Sequence, residues 1–466
     1  MKIPSKYRNL LSNTGYLFIG TFGSKMISFV MLPFYTAWLN IEDFGTSDII
    51  NVYSTILLSI ISLCISEAVF VIPTGRNKDD QKIFFSSSLL FGAFCILLLV
   101  LLYFTIHFLC HNLSTSFAIN IGYITILCAS TIVMSITQQF CKCINQIRIF
   151  ASAGIINTLC VACLGFLLIK TYGINGYVAS LVLANIITLL YVFLSAKLYS
   201  YVSLKTVSIN YLYELLKYSI PLIPNSIIWL IVSYINRPIM EAYMGMAAIG
   251  LFSLANRFPT LITTVYNNFS NSWQISVLQE YGKDDYEKFY NGTCMIVFVG
   301  MSLCVSVMSI VIRPIIHLLF NENYYPAIDY IPWLCLSTPF MALASIVGAN
   351  FSAIRQSKYF FYSSIWSAGS AVLINAILIP MIGLWGACIA SVLSFVIGAL
   401  SRIIYARKIV RFHYGLCYLI ISVVTIVTLL LTNYTHTIIW SLLVIILESL
   451  FIVVWIKFLR INKSQN

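Results

Sequence analysis

Charge is scarce in this sequence. Charged residues occupy 9% of its 466 positions, and only 15 of those are acidic. A soluble domain normally carries roughly a quarter of its residues charged, so a water-soluble globular fold is excluded. The five histidines are scattered, with no carboxylate or cysteine at a spacing that would hold a metal ion. The 13 cysteines sit almost entirely inside apolar runs. Even the pair Cys141 and Cys143 fits neither a zinc nor a disulfide framework, so the cysteines read as small buried hydrophobes. Long polar stretches are missing too. The longest connections, near 198–211 and 279–287, are too short to house a soluble catalytic domain.

What the chain has instead is apolar length. Hydrophobic residues make up 60% of it, and its mean hydropathy is +0.92. Run after run exceeds the roughly 20 residues that carry a helix across a bilayer, which predicts an all-α polytopic membrane protein. The runs place about fourteen spans. Six lie near 11–36, 45–70, 83–109, 117–140, 152–169 and 175–197, and six more near 212–235, 247–278, 288–318, 327–349, 360–379 and 385–405. The last two lie near 414–431 and 437–457. The first run is far longer than the apolar core of a signal peptide and lacks a small-residue cleavage site, so it is read as a span.

An even number of spans puts both termini on one side. With that side cytoplasmic, most of the 27 basic residues fall in cytoplasmic segments, from Lys2, Lys6 and Arg8 through Arg76 and Lys78 to Arg402, Arg407 and Arg411. Only Lys170, Arg237 and Arg313 are expected outside. The net charge of +12 is thus explained by the positive-inside rule, without a nucleic-acid partner.

The chain also repeats itself. INQIRIF at 144–150 aligns with IRQSKYF at 354–360, a shift of 210 residues that also places Gly173 and Gly176 on Gly383 and Gly386. Nearer the front, a shift of 205 superposes Pro33, Gly45 and Asn51 on Pro238, Gly250 and Asn256. The expected organisation is an N-terminal lobe of six helices (1–200) and a C-terminal lobe of six (201–410), with two appended helices and a cytoplasmic tail (411–466). Six spans per lobe preserve orientation, so the lobes are expected to form a parallel repeat that supports alternating access.

Polar residues inside the spans carry the functional reading. Lys25 interrupts the first run about 22 Å from Leu10 and about 20 Å from Trp38. An intramembrane lysine costs roughly 2.5–3.5 kcal/mol at a helix centre. Thr14, Thr21 and Ser28 share its sector of the helix, which makes a polar stripe facing a wet cavity. In the second half, Ser253, Arg257, Thr260, Thr264, Asn268 and Asn271 cluster within about 80° on the eighth helix, and Asn267 lies beside them. Pro259 is expected to kink that helix.

Two carboxylates are harder to place. Glu67 reads first as an interfacial group near Arg76 and Lys78, and second as a protonatable coupling group. Glu448, outside both repeats, is given no role. Glu42 and Asp43 lie in the first external connection, where Gly45 marks a turn. They are too isolated to define a catalytic site, so an enzyme is not expected.

The P-x-Y-x-x-x-L-x-x-E-x-F-G run from Pro33 to Gly45, with IRQSKYF and GLWGACIAS in the second half, resembles the polysaccharide-exporter branch of the multidrug/oligosaccharidyl-lipid/polysaccharide (MOP) superfamily. It is most similar to Wzx-type O-antigen or capsule repeat-unit transporters. The resemblance implies a flippase that moves an undecaprenyl-pyrophosphate-linked oligosaccharide from the cytoplasmic to the outer leaflet of the bacterial plasma (inner) membrane. Its implied uses are O-antigen (lipopolysaccharide), capsule or exopolysaccharide synthesis. Lipid II flippases carry cations on their first and eighth helices, and Lys25 and Arg257 match those locations approximately. These two would pair with the pyrophosphate or acidic sugars, while Thr21, Ser28, Thr260, Thr264, Asn267, Asn268 and Asn271 would serve the glycan. One position departs from the family: where an arginine is common soon after Glu67-Ala68-Val69-Phe70, this chain has Val71.

The expected partners are the lipid-linked glycan, the bilayer and other polysaccharide-assembly proteins such as a polymerase. No cofactor is expected, and a proton or a sodium gradient is left as the energy source. Two alternatives stay open: an ion-coupled multidrug antiporter of the same superfamily, and a membrane glycosyltransferase or polymerase.

Overall fold

The computed structural model describes residues 20, 22–109, 115–203, 206–354, 356–413, 415–435 and 442–451. Among these the chain is helical, with no strand. Ten described helices are long and apolar enough to cross a membrane, so the all-α, multi-pass class expected from composition is the class observed. The termini expected to be cytoplasmic lie outside the described residues. The chain divides into two compact units, Met1–Leu230 and Ile231–Asn466.

The first unit opens with α1 (22–30) and α2 (Leu32–Trp38). Pro33 stands in the first turn of α2, where its missing N–H costs nothing and its fixed φ starts a new helix. The IEDFG stretch, expected as a turn, is instead the first turn of α3 (Ile41–Ile61). The reason is a cap: the Asn40 side chain accepts from the Asp43 amide at 2.7 Å, and Glu42 and Asp43 place negative charge at the helix N-terminus. The break falls earlier, at Leu39–Asn40, and Gly45 lies buried within the helix.

Leu63 and Cys64 then take left-handed conformations, with φ of 49° and 54°. They split the second expected span into α3 and α4 (Ile65–Val71). The Cys95 thiol donates to the carbonyl of Ile61 beside the break at 3.3 Å. Cys95 belongs to α5 (Lys78–Leu109), which is followed by α6 (Ser116–Ile119), α7 (Ile121–Cys143) and α8 (Ile147–Ser195). Helix α7 is the centre of the unit, with α3, α4, α5 and α8 packed around it. Phe85 of α5 stacks on Phe140 of α7 at 4.2 Å. The opposite edge of α5 exposes Leu90, Phe94, Leu97, Leu101, Phe104 and Phe108. That is a helical-spaced apolar stripe suited to lipid.

The connection to the second half docks on this unit. Helix α9 (Ile209–Ser219) packs on α4 and α5. The Tyr211 hydroxyl donates to Asp80 at 2.8 Å, and Arg76 pairs with Glu214. Helix α10 (Ile223–Tyr234) follows.

The second unit comprises α11 (Asn236–Met244), α12 (Met246–Glu280), α13 (Tyr286–Leu319), α14 (Ala327–Cys335), α15 (Ser337–Ala353), α16 (Ser357–Ile382), α17 (Leu384–Ala406), α18 (Gly415–Thr435) and α19 (Leu442–Phe451). Its core is α14–α15, a span 78% buried where no other described span exceeds 50%. Around α15 pack α12, α13 and α17. Arg402, expected in a cytoplasmic segment, is buried inside α17. It donates to the Ala344 carbonyl at 2.8 Å and lies 4.4 Å from the centre of the Phe360 ring. Arg237 is likewise buried, bonded to Asn236 at 2.8 Å and lying over Phe252.

The internal repeat is visible as geometry. Helices α3 and α12 begin at 41 and 246, in the 205-residue register. Helices α7 and α15 end at 143 and 353, and α8 and α16 begin at 147 and 357, in the 210-residue register. The closing bonds match: the Gln146 amide donates to Cys141, and that of Gln356 to Phe351. Gly173 turns a corner at φ 55°, ψ −128°, and Gly383 does so at φ 61°, ψ −134°. The 49-residue α8 is therefore two helices meeting at Gly173, and α16 meets α17 at Gly383 in the same way.

Three residues past each corner the backbones touch. A Cβ on Gly176 would stand 2.2 Å from the Leu168 carbonyl oxygen, and one on Gly386 would stand 2.3 Å from that of Leu378. Gly176→Ala and Gly386→Ala should each cost at least the about 1–3 kcal/mol of an overpacked core. Gly300→Ala, where a Cβ meets nothing within 4 Å, should be neutral or stabilising by up to about 1 kcal/mol. Thermal unfolding of detergent-purified protein, read by size-exclusion recovery, measures all three.

Candidate functional site

The described part of α1 has three sectors. Gly20 and Ser24 pack on α8: the Ser24 hydroxyl lies 3.1 Å from the Gly154 carbonyl, and a Cβ on Gly20 would stand 3.1 Å from the Ala151 carbonyl. At 100° per residue the stripe of Phe22, Met26 and Val30 points roughly opposite, and all three are exposed. Between these sectors stand Lys25 and Ser28, both exposed. The Ser28 hydroxyl donates back to Ser24 at 2.9 Å. Thr21, expected on this stripe, lies outside the described residues. A packed face, a polar strip and an apolar strip thus run side by side on one helix.

In the second unit α12 is fastened to α15 by hydrogen bonds. Tyr266 donates to the Ala342 carbonyl at 3.0 Å, Trp273 donates to that of Ile346 at 3.2 Å, and Ser270 meets Ser345 at 3.2 Å. These bonds fix which way α12 faces. Arg257 and Thr260 are half-buried, Asn267 is exposed, and Thr264 is 6% exposed. Thr264 donates to Thr260 and Thr260 to Asn256, at 2.7 and 2.8 Å. Each hydroxyl proton is spent on its own helix. The side chains of Asn268 and Asn271 lie outside the described set. Pro259 is accommodated within a continuous α12.

Burial sorts the cations. Arg237 and Arg402 are enclosed, each held by an oxygen acceptor and an aromatic ring, and are structural. Lys25 is exposed and Arg257 half-buried. Glu67 is exposed on α4, close enough to Lys142 of α7 for their charges to interact. Lys142 also lies 4.2 Å from the centre of the Phe150 ring.

One polar cluster was not singled out from the sequence. Asn157 of α8 donates to Asn185 at 3.1 Å and to Thr188 at 3.2 Å, both beyond the Gly173 corner. Asn185 in turn donates to Ser130 and Thr131 of α7, each at 3.1 Å. The signal was there as two asparagines within apolar runs, but only the fold shows that they meet. Such amide contacts are the usual means of joining helices within hydrocarbon.

These features define a multi-pass helical membrane protein with polar and cationic positions set into lipid-facing helices, as in transporters. The family model described as "Polysaccharide biosynthesis protein" matches residues 10–273, and the MatE model matches residues 238–381. The chain belongs to the polysaccharide biosynthesis protein family and has the MOP-superfamily fold. No curated protein matches it by sequence.

Among solved structures it is similar to the lipid II flippase MurJ in an inward closed conformation. That match has 16% identity and a TM-score of 0.72, covering 96% of this chain and 99% of the flippase. An inward-facing multidrug-resistance transporter of the MATE family matches with 15% identity and a TM-score of 0.68, over 82% of this chain and 94% of its own. A MOP transporter from Pyrococcus furiosus matches with 15% identity and a TM-score of 0.61, over 85% and 95%.

Asn185→Ala removes the hub of the first unit's amide cluster and should cost about 1–3 kcal/mol. Asn267→Ala, on the exposed side of α12, should stay within about 0.5 kcal/mol. Thermal midpoints of the two purified variants against the parent chain check the contrast.

Proposed function

We propose that this protein is a flippase for undecaprenyl-pyrophosphate-linked oligosaccharide repeat units. It moves them by alternating access from the cytoplasmic to the outer leaflet of a bacterial plasma membrane, for O-antigen, capsule or exopolysaccharide synthesis. The observation that carries this reading is the pair of cations that are not enclosed, Lys25 on α1 and Arg257 on α12, in a chain of the polysaccharide biosynthesis family. A pyrophosphate and a glycan cannot cross hydrocarbon unaided, because desolvating unpaired charge and hydroxyls is prohibitive. Cations answer the phosphates with charge-assisted hydrogen bonds. Ser28 and Thr260 keep acceptor lone pairs for sugar hydroxyls, the exposed amide of Asn267 offers both donors and an acceptor, and Thr264, Asn268 and Asn271 are assigned to the glycan from their place in the sequence. Thr21 is assigned to the polar strip of α1 from its place in the sequence.

Coverage supports a lipid-linked cargo. The flippase structure spans 96% of this chain, whereas the MATE-family structure spans 82%. The proteins that resemble this chain carry substrates rather than transform them, which supports transport over catalysis. The partners assigned on this reading are the lipid-linked glycan, the bilayer and other assembly proteins such as a polymerase.

The MatE match over 238–381 favours a second reading, an ion-coupled drug antiporter. An antiporter that takes cationic drugs needs anionic positions where this chain presents Lys25 and Arg257.

The test is the leaflet location of the lipid-linked glycan in spheroplasts of a host lacking the gene, read by an impermeant glycan-modifying enzyme added outside. The parent chain should restore external modification. Lys25→Glu and Arg257→Glu, each at parental expression, should reduce it at least about tenfold, as expected when a charge-assisted contact becomes a repulsion. Normal flipping by both variants would remove these residues from the substrate path. Restored drug resistance without glycan movement would establish the antiporter.

A further inference from the structure

The last described helix, α19, carries one charged-type residue, Glu448, in the sequence LLVIILESLF. It is 5% exposed. Its Oε1 lies 3.3 Å from Oγ1 of Thr425 on α18, and its Oε2 is buried with no hydrogen-bond partner. Ser306 of α13, wholly buried, lies beside the carboxyl with its own hydroxyl oxygen unpartnered. Thr425 stands at the middle of the 21-residue α18, about 15 Å from either end. The cluster therefore sits at mid-span.

Among the described residues no counter-charge accompanies it. Helix α18 contains no acidic or basic residue; its titratable groups are Cys417, Tyr418 and Tyr434. Toward Glu448, α13 presents the thiol of Cys304, behind which lies Cys335 of α14. Among the described residues no lysine, arginine or histidine pairs with the carboxyl. An ionised carboxylate so placed would be an uncompensated charge in hydrocarbon, and such groups neutralise instead.

The hydroxyl inventory leads to the same state. Thr425 has one proton, and its oxygen lies 2.8 Å from the Ile421 carbonyl. That one proton is divided between the carbonyl and Oε1 of Glu448 at 3.3 Å, so an ionised carboxylate would receive only a shared donor there. A carboxylic acid carries its own proton and does not depend on that donor.

We propose that Glu448, with Ser306 and Thr425, is a proton-binding site that fastens α19 to α18 and α13. The bound proton removes the charge that would expel the helix. Loss of that proton leaves an anion at mid-span, and α19 must shift or admit water to solvate it. Proton occupancy and docking of α19 are therefore linked: each favours the other by the same free energy. The sign follows directly. A carboxyl protonated when docked and free to ionise when undocked makes docking weaken as pH rises. This inference rests on the membrane fold and not on the glycan reading, so either can fail without the other.

The first experiment uses the full-length protein in liposomes and dicyclohexylcarbodiimide, which reacts with protonated carboxyls in apolar surroundings, with mass spectrometry of the Glu448 peptide. The adduct should form at pH 6 and fall at least about tenfold by pH 9, following the protonated fraction. Thermal unfolding is the second readout. The midpoint of the parent chain should decline over that range, while Glu448→Gln, which keeps a donor and cannot ionise, should remove that part of the decline. Absence of the adduct at pH 6 would overturn the proposal. So would an adduct unchanged to pH 9, or identical pH profiles for parent and variant. Protection from the reagent by sodium chloride but not by potassium chloride at constant pH would make this a sodium site and end the proton reading. If Glu448→Gln fails to fold, the adduct titration on the parent chain decides alone.

Discussion

Hydrocarbon offers no hydrogen bonds, and this constraint governs nearly every polar atom in the structure. The hydroxyls of Thr36, Thr46, Thr55, Ser59, Thr105, Thr428 and many others donate to carbonyls one turn back on their own helices. Where the helix itself is interrupted, a neighbour intervenes, as the Cys95 thiol does at the Ile61 carbonyl. Where an arginine is enclosed, a carbonyl or amide oxygen and a ring receive it. Lys25 and Arg257 keep exposure, and Glu448 keeps an unanswered oxygen.

The two units solve the same packing problem with different hubs. In the first, α7 gathers four helices around aromatic stacking, and a network of asparagines ties it to both halves of α8. In the second, α15 is the enclosed helix, and tyrosine, tryptophan and arginine donors from α12 and α17 end on its carbonyls. Carbonyls on a helix flank can accept a second hydrogen bond without giving up the first, because each oxygen has two lone pairs. That is how large polar side chains serve as staples within an apolar core.

Much of this was legible beforehand. Length and hydropathy fix the class, because no other fold satisfies backbone groups over runs of that length except a closed barrel, whose period is two. The repeat was readable because glycine is irreplaceable at Gly176 and Gly386 and so marks register where apolar residues interchange freely. Periodicity put Lys25 and Ser28 on one sector of α1, and the structure leaves both exposed. The failures have local causes. A cap overrode turn composition at IEDFG, because Asn40 starts a helix two residues before its first acid. A basic residue near a helix end was counted as cytoplasmic, but Arg402 folds inward to a carbonyl, and only tertiary contact decides between snorkelling and burial. The break at Leu63–Cys64 has no glycine or proline to announce it.

The glycine corners at 173 and 383 are built by subtraction. Their dihedrals differ by only a few degrees across 210 residues. Three residues on, the carbonyls of Leu168 and Leu378 leave no room for a Cβ on Gly176 or Gly386. In each half the joint between two helices closes because a side chain is missing.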